Sequence, residues 1–233
     1  MRLLGCSLLA FFVSGCYSSI AGDVAANILA VEGSVLCKHP HQQKNNALAN
    51  AGSIRAGDTV FLNDGARLSA ALLPNLLVEI RGAAELRIDK LALTKDGNET
   101  GEQSIRQRIA HLHFQRGVIV ASHERRDVAA EPDFAIETPF GTVTTNYDSL
   151  FILDVNGDRS RLTALTGYVS FAPPKKTHIS LDVGSVGEWT AEKSVRSTAE
   201  SDPNAQRMIV DALESERQLR ALRDKKRGIF PGK

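Results

Sequence analysis

The stretch from Glu137 to Phe151, ETPFGTVTTNYDSLF, gathers hydroxyls and two carboxylates around one Gly and one Pro. Such groups could support acyl transfer if a Ser stood on a sharp strand-to-helix turn as Gly-x-Ser-x-Gly. PFGTVTT has no Ser in that place, and FAIET before it and GTVTT after it both read as strand. Pro139 pre-sets φ, Gly141 supplies freedom at a turn, and the Thr residues are β-branched and suit a pleated surface. The reading is strand, turn, strand. Histidine offers a second chemistry. His39 and His41, and likewise His111 and His113, stand at i and i+2. On a strand that spacing sends both rings to one face, which suits Zn²⁺ or another borderline metal. His39-Pro40-His41 falls in a polar loop, and no Cys or carboxylate is read as a further ligand beside either pair. The expectation is polar filler with no metal bound, His111 and His113 being the pair that would ligate one. The chain has no Gly-x-x-x-x-Gly-Lys-Ser/Thr, His-Glu-x-x-His, Ser-x-x-Lys or Cys-x-x-Cys pattern. No cofactor is expected, and the chain is read as a non-enzyme.

A third chemistry stands at the start. MRLLGCSLLAFFVSGC carries Arg2, an apolar run from Leu3 to Val13 and then small residues. That is the layout of a secretory signal peptide, too short for a stable membrane-spanning helix. Val13-Ser14-Gly15-Cys16 resembles the lipobox of bacterial lipoproteins. The resemblance implies cleavage before Cys16, a diacylglycerol on its thiol, and a further acyl chain, such as palmitate, on the new amine. Each buried acyl CH₂ contributes roughly 0.8 kcal/mol, so three chains anchor durably. Tyr17 rather than Asp follows Cys16, which by resemblance to lipoprotein sorting points to the outer membrane. The expected address is the cell envelope, facing the periplasm or the cell surface. Cys37 has no expected disulfide partner and reads as a small half-buried hydrophobe on a strand.

The elements that must position these groups are short apolar runs broken by Gly. VEGSVL, RAGDTV, NDGARL, IRGAAEL, QRGVIV, PFGTVT, LTGYVS and DVGSVG each set a β-type run beside a glycine. Before residue 200 no helical period is sustained. Many short strands with Gly at the corners predict a mainly β fold: an elongated stack of strands, sandwich or solenoid-like roll, with one C-terminal α-helix. Asn156-Gly157 between two apolar runs predicts a hairpin. Residues 94–102 and 122–133 read as polar loops. Charged residues are 24% of the chain, apolar residues 42%, and the net charge is +1, which argues against a nucleic-acid partner.

The run FAIETPFGTVTTNYDSLFILDV resembles the centre of the FecR domain, which shows an apolar strand, Thr-Pro-x-Gly and a Val-rich strand. Thr138, Pro139, Gly141 and Val143 match, and Phe151 fits a later Phe. Asp148-Ser149 stands where that family has Gly-Thr, and Pro74-Asn75 where it has Asp-Gly. GSIRAGDTVFLNDGARLSAAL, HLHFQRGVIV, LTALTGYVSF and ISLDVGSVGEW resemble further units in the family's order. The resemblance implies an all-β module facing the periplasm or cell exterior, of a kind found in transmembrane signalling proteins that control anti-sigma activity. A lipid anchor does not by itself carry a signal across the inner membrane, so only the binding or sensing module carries over.

The expected organisation is a signal peptide (1–15), a lipidated tether (16–27), a FecR-like β domain (28–190), a linker (191–200) and a C-terminal helix and tail (201–233). Met208, Ala212, Leu219 and Leu222 share one helical stripe, interrupted by Ser215, and basic residues crowd the C-terminal half. The expected function is a non-catalytic membrane-anchored lipoprotein acting in envelope signalling or protein docking. The alternative is a structural envelope lipoprotein that self-associates or binds cell wall or polysaccharide. The expected partners are the membrane through the lipid anchor and another envelope protein, with self-association through the C-terminal helix as a further mode.

Overall fold

The computed structural model describes residues 19–50, 52–97, 104–124, 131–145, 148–174 and 178–229. The signal peptide and Cys16 lie outside the described residues. Among those described, the chain forms β1 (Ser19–Asp23), β2 (Ala26–Glu32), β3 (Val35–Lys38), β4 (Asn46–Ala47), β5 (Ser53–Ile54), β6 (Thr59–Leu62), β7 (Arg67–Leu73), β8 (Leu76–Asp96) and β9 (Ile105–His123). It continues with β10 (Glu131–Thr138), β11 (Gly141–Thr145), β12 (Ser149–Val155), β13 (Ser160–Thr166), β14 (Val169–Ala172), β15 (Ile179–Leu181), β16 (Ser185–Trp189) and β17 (Ser194–Thr198). A 3-10 turn (Ala199–Ser201) then leads into a single α-helix, α1 (Pro203–Ile229). The fold is mainly β, one sheet of many strands without a closed barrel, as expected.

Two strands are longer than the glycine spacing suggests. β8 runs 21 residues and pairs antiparallel with β9, which runs 19. Gly82 and Gly117 sit where the register shifts between Arg81 and Glu85, both with positive φ. A Cβ on Gly117 would come within 2.5 Å of the Ala84 Cβ, so only glycine fits. Here glycine bends the strands rather than ending them. One half of β8 pairs with β7, and the other with β6 and β1. One half of β9 pairs with β12 antiparallel, the other with β10 in parallel. The bend folds the sheet around one core that joins Ile28, Leu76, Phe114, Phe151, Phe171 and Trp189.

Alternation then sets the second face. Ile28, Leu76, Ile119 and Phe151 point into that core, while their neighbours Leu29, Leu77, Val120, Leu150 and Ile152 lie under α1. Strands buried on both faces read as continuous apolar runs, as SLFIL does in β12. On the helix side, Ala205, Ala212 and Leu219 are buried, with Met208 and Leu222 half-buried beside them.

Several segments differ from expectation. The polar loops expected at 94–102 and 122–133 give up residues to strands, β8 taking in 94–96, β9 122–123 and β10 131–133. Residues 19–23, read as tether, form β1 on the end of β8. Residues 194–198, read as linker, form β17 on β16. SVRST gives no apolar alternation because both its faces are exposed. The Asn156-Gly157 hairpin exists, but by another mechanism. The loop holds four residues between the pair Val155 and Ser160, and Gly157 stays out of the left-handed region. Asn156 organises it instead: its Oδ1 accepts the Asp158 and Arg159 N–H groups, each at 3.0 Å.

Candidate functional site

The opening motif is a tight turn. Thr138 pairs with Gly141 across Pro139 and Phe140 in the β10–β11 hairpin. The Thr138 Oγ1 donates to the Gly141 carbonyl at 2.8 Å and accepts from the Phe140 N–H at 3.2 Å and the Ser160 hydroxyl at 3.1 Å. Gly141 has φ +143, and a Cβ there would meet the Ala172 carbonyl oxygen at 2.4 Å. Turn closure and close packing account for Thr138 and Gly141, with Pro139 exposed at the tip.

The histidine pair divides. On β9, beside the parallel strand β10, His111 faces Ala135 and His113 faces Glu137 in register. The His111 Nε2 lies 2.9 Å from Asp133 Oδ1. His113 instead joins Asp89 and Glu137, its Nδ1 3.4 Å from Glu137 Oε2. Asp89 also takes a 2.6 Å hydrogen bond from Arg87. That acceptor holds the Arg87 guanidinium above its ordinary range. These are two separate surface groups rather than one centre.

The other histidine motif gathers more. His39 Nδ1 lies 2.8 Å from Asp58 Oδ1, and Cys37 completes a trio with them. Cys37 is fully buried, not half-buried, and its thiol is pushed up to about 12 by burial and then by the Asp58 charge. Neither ligand is expected beside His39 from the sequence alone. Cys37 stands at i−2 on β3, His39 lies one residue past that strand's end at Lys38, and β3–β6 pairing brings Asp58, the residue before β6, from the far side of a loop.

A long polar seam joins α1 to the sheet. Asp202 caps the helix, its Oδ1 accepting the Asn204 N–H at 2.9 Å and the Ala205 N–H at 3.1 Å. Arg161 pairs with the same carboxylate. The Ala205 N–H, with Arg161, holds the Asp202 carboxyl below the usual carboxylate range. Midway, Ser215 is buried and donates to the buried Glu79 at 3.1 Å, while Arg81 bonds both. Further on, Ser122 donates to Glu216 at 2.9 Å, Arg220 and Arg223 meet Glu124, and Lys226 donates to the Ile28 carbonyl. So Ser215, which breaks the apolar stripe, is the residue that meets a buried carboxylate.

An open hollow of about 460 Å³ lies beside this seam, lined by Ser122, His123, Glu124, Asp148, Glu216 and Arg220 among others. Ser122 and His123 are neighbours, but the Ser122 hydroxyl points to Glu216 and the His123 Nε2 lies 3.4 Å from the Asn75 amide nitrogen. The pair is not arranged as nucleophile and base.

β17 is an exposed edge strand. Among the described residues it pairs with β16 alone, and all five of its residues are exposed. The Ala199 N–H donates to the Gly184 carbonyl at 2.8 Å. Antiparallel alternation from that bond turns the N–H groups of Ser194, Arg196 and Thr198 outward. Among the described residues no helix is long and apolar enough to cross a membrane.

No family model matches the chain, and no curated protein does. Two crystal structures of a candidate anti-sigma factor from Parabacteroides distasonis are similar to it. Their TM-scores are 0.43 and 0.42, and their identities 13% and 12%. Each alignment covers 60% of this chain and 59% of that one. The matched part is therefore less than two thirds of that protein's length.

Proposed function

We propose that this chain is a non-catalytic envelope lipoprotein, anchored through acylated Cys16, whose FecR-like β module docks another envelope protein in signalling or assembly. The observation that supports it is the edge of β17, which presents outward N–H groups with no covering element among the described residues. Exposed edges template strand addition, and a partner's extended segment would add there. The stripe of α1 is already used against the sheet, so docking falls to the β surface rather than to that stripe. The outer membrane is the proposed address.

Crosslinking in intact cells, then capture of the tagged protein and mass spectrometry, tests this. Cys16→Ser separates membrane neighbours from lysate contaminants. Recovery of one envelope protein, lost in Cys16→Ser, is the expected result. Recovery of only the chain itself or of cell-wall fragments would leave the structural-lipoprotein reading.

A further inference from the structure

Cys37, His39 and Asp58 bring a thiol, an imidazole and a carboxylate to one end of the β3–β6 pair. Cys37 lies on β3 and His39 one residue past its end at Lys38. Lys38 pairs with Thr59, which sets Asp58 beside His39. The ligand atoms of the three all lie within 4.8 Å of one another. Zn²⁺ takes thiolate at about 2.3 Å and imidazole or carboxylate at about 2.0–2.2 Å, so tetrahedral ligand atoms stand roughly 3.3–3.6 Å apart. The 2.8 Å between His39 Nδ1 and Asp58 Oδ1 must widen by about half an ångström. His39, 40% exposed at its side chain, has the freedom to move that far.

The carboxylate is fixed in advance. Asp58 Oδ2 accepts the Arg55 N–H at 2.9 Å, closing the turn whose Asp58 N–H bonds back to the Arg55 carbonyl at 3.1 Å. That turn is pinned to β8 by two backbone bonds, Gly57 N–H to the Ile88 carbonyl at 2.7 Å and Ile88 N–H to the Asp58 carbonyl at 2.9 Å. The turn uses one oxygen of Asp58, and the other faces His39. With Asp58 and Cys37 buried and His39 at the surface, two ligands are sheltered and an access path remains.

We propose that Cys37, His39 and Asp58 form a three-ligand site for a borderline divalent cation of the Zn²⁺ kind, with solvent at the fourth position. Such an ion prefers this mixed sulfur, nitrogen and oxygen set, whereas Mg²⁺ and Ca²⁺ take oxygen alone. The charges balance: thiolate and carboxylate neutralise the two positive charges, and the imidazole stays neutral. Binding breaks the Cys37 S–H bond, forms the metal–sulfur bond and sends one proton to the buffer. His39 ligates through Nδ1 in the tautomer that carries its proton on Nε2.

The full-length chain, kept reduced without a competing thiol, is titrated with Zn²⁺ by calorimetry in two buffers of different ionisation enthalpy. It is then titrated with Co²⁺ by absorbance. The site predicts saturable binding with about one proton released and a thiolate-to-cobalt charge-transfer band. His39→Ala weakens Zn²⁺ at least about tenfold, since even residues behind the ligands carry 10–100-fold. Cys37→Ser, nearly isosteric, removes the band. His113→Ala, in the rival Asp89 and Glu137 group, leaves both signals unchanged. Far-ultraviolet circular dichroism confirms that each variant is folded. Absence of saturable binding, binding that survives both His39→Ala and Cys37→Ser, or loss on His113→Ala would overturn the assignment.

Discussion

Replacing Ser215 with Ala removes one hydroxyl from the centre of the helix–sheet seam. Ser215 is 2% exposed and Glu79 is 1% exposed, so neither group exchanges its partner for water. A hydrogen bond to a charged group contributes about 1.5–3 kcal/mol. The lower half applies here, because the Ser215 proton is shared between Glu79 and the Asp211 carbonyl at 2.9 Å. A loss of about 1.5–2 kcal/mol follows, which lowers Tm by roughly 3–8 °C in a chain of this size. Glu79→Ala strips Arg81 of its carboxylate. Breaking a fully buried pair costs about 3–5 kcal/mol. Arg81 is 21% exposed at its side chain, and partial solvation reduces the figure to about 2–3 kcal/mol. Once Glu79 is gone, Ser215→Ala has less left to remove, so the double variant falls short of the sum by about 1 kcal/mol. Urea unfolding of the four proteins, followed by circular dichroism, measures this coupling. Additivity within about 0.3 kcal/mol would refute the seam as a coupled unit.

Two further outcomes follow from the same structure. Gly141→Ala forces both a positive φ and a clash with the Ala172 carbonyl, so it lowers stability by about 2 kcal/mol or more, read as a urea-midpoint shift, whereas Gly65→Ala meets no neighbour and bears only the φ strain. The folded-state pKa of Asp202 lies below its unfolded value, so its stabilisation is present at neutral pH and is lost as pH falls through the folded pKa; Asp202→Asn should flatten the acid limb of a Tm-against-pH curve, and an unchanged limb would contradict the cap assignment.

The legible parts of the sequence were the local ones. Thr138-Pro139-Phe140-Gly141 names its own turn, because Pro and Gly act within four residues. The glycines at 82 and 117 read as corners, yet they bend β8 and β9 without ending them, since bending depends on Ala84 across the strand pair. β17 escaped notice because an edge exposed on both faces leaves no hydrophobic period. Ser215 looked like a flaw in a helical stripe. Its reason, Glu79, lies 136 residues away in the chain. Cys37 and His39 stand two apart in the sequence, but His39 lies past the end of β3 and Asp58 arrives only through β3–β6 pairing.

The edge of β17 carries the docking proposal, and Arg196→Pro addresses it directly. Proline removes an outward N–H while leaving the inward bonds of the β16–β17 ladder in place. The lost surface pair between Arg196 and Asp182 matters little, both side chains being more than half exposed. Capture of the crosslinked envelope partner should fall at least about tenfold in Arg196→Pro at unchanged Tm. Arg196→Ala, which keeps the N–H, should capture as the parent does. Full capture by the proline variant would contradict strand addition at β17.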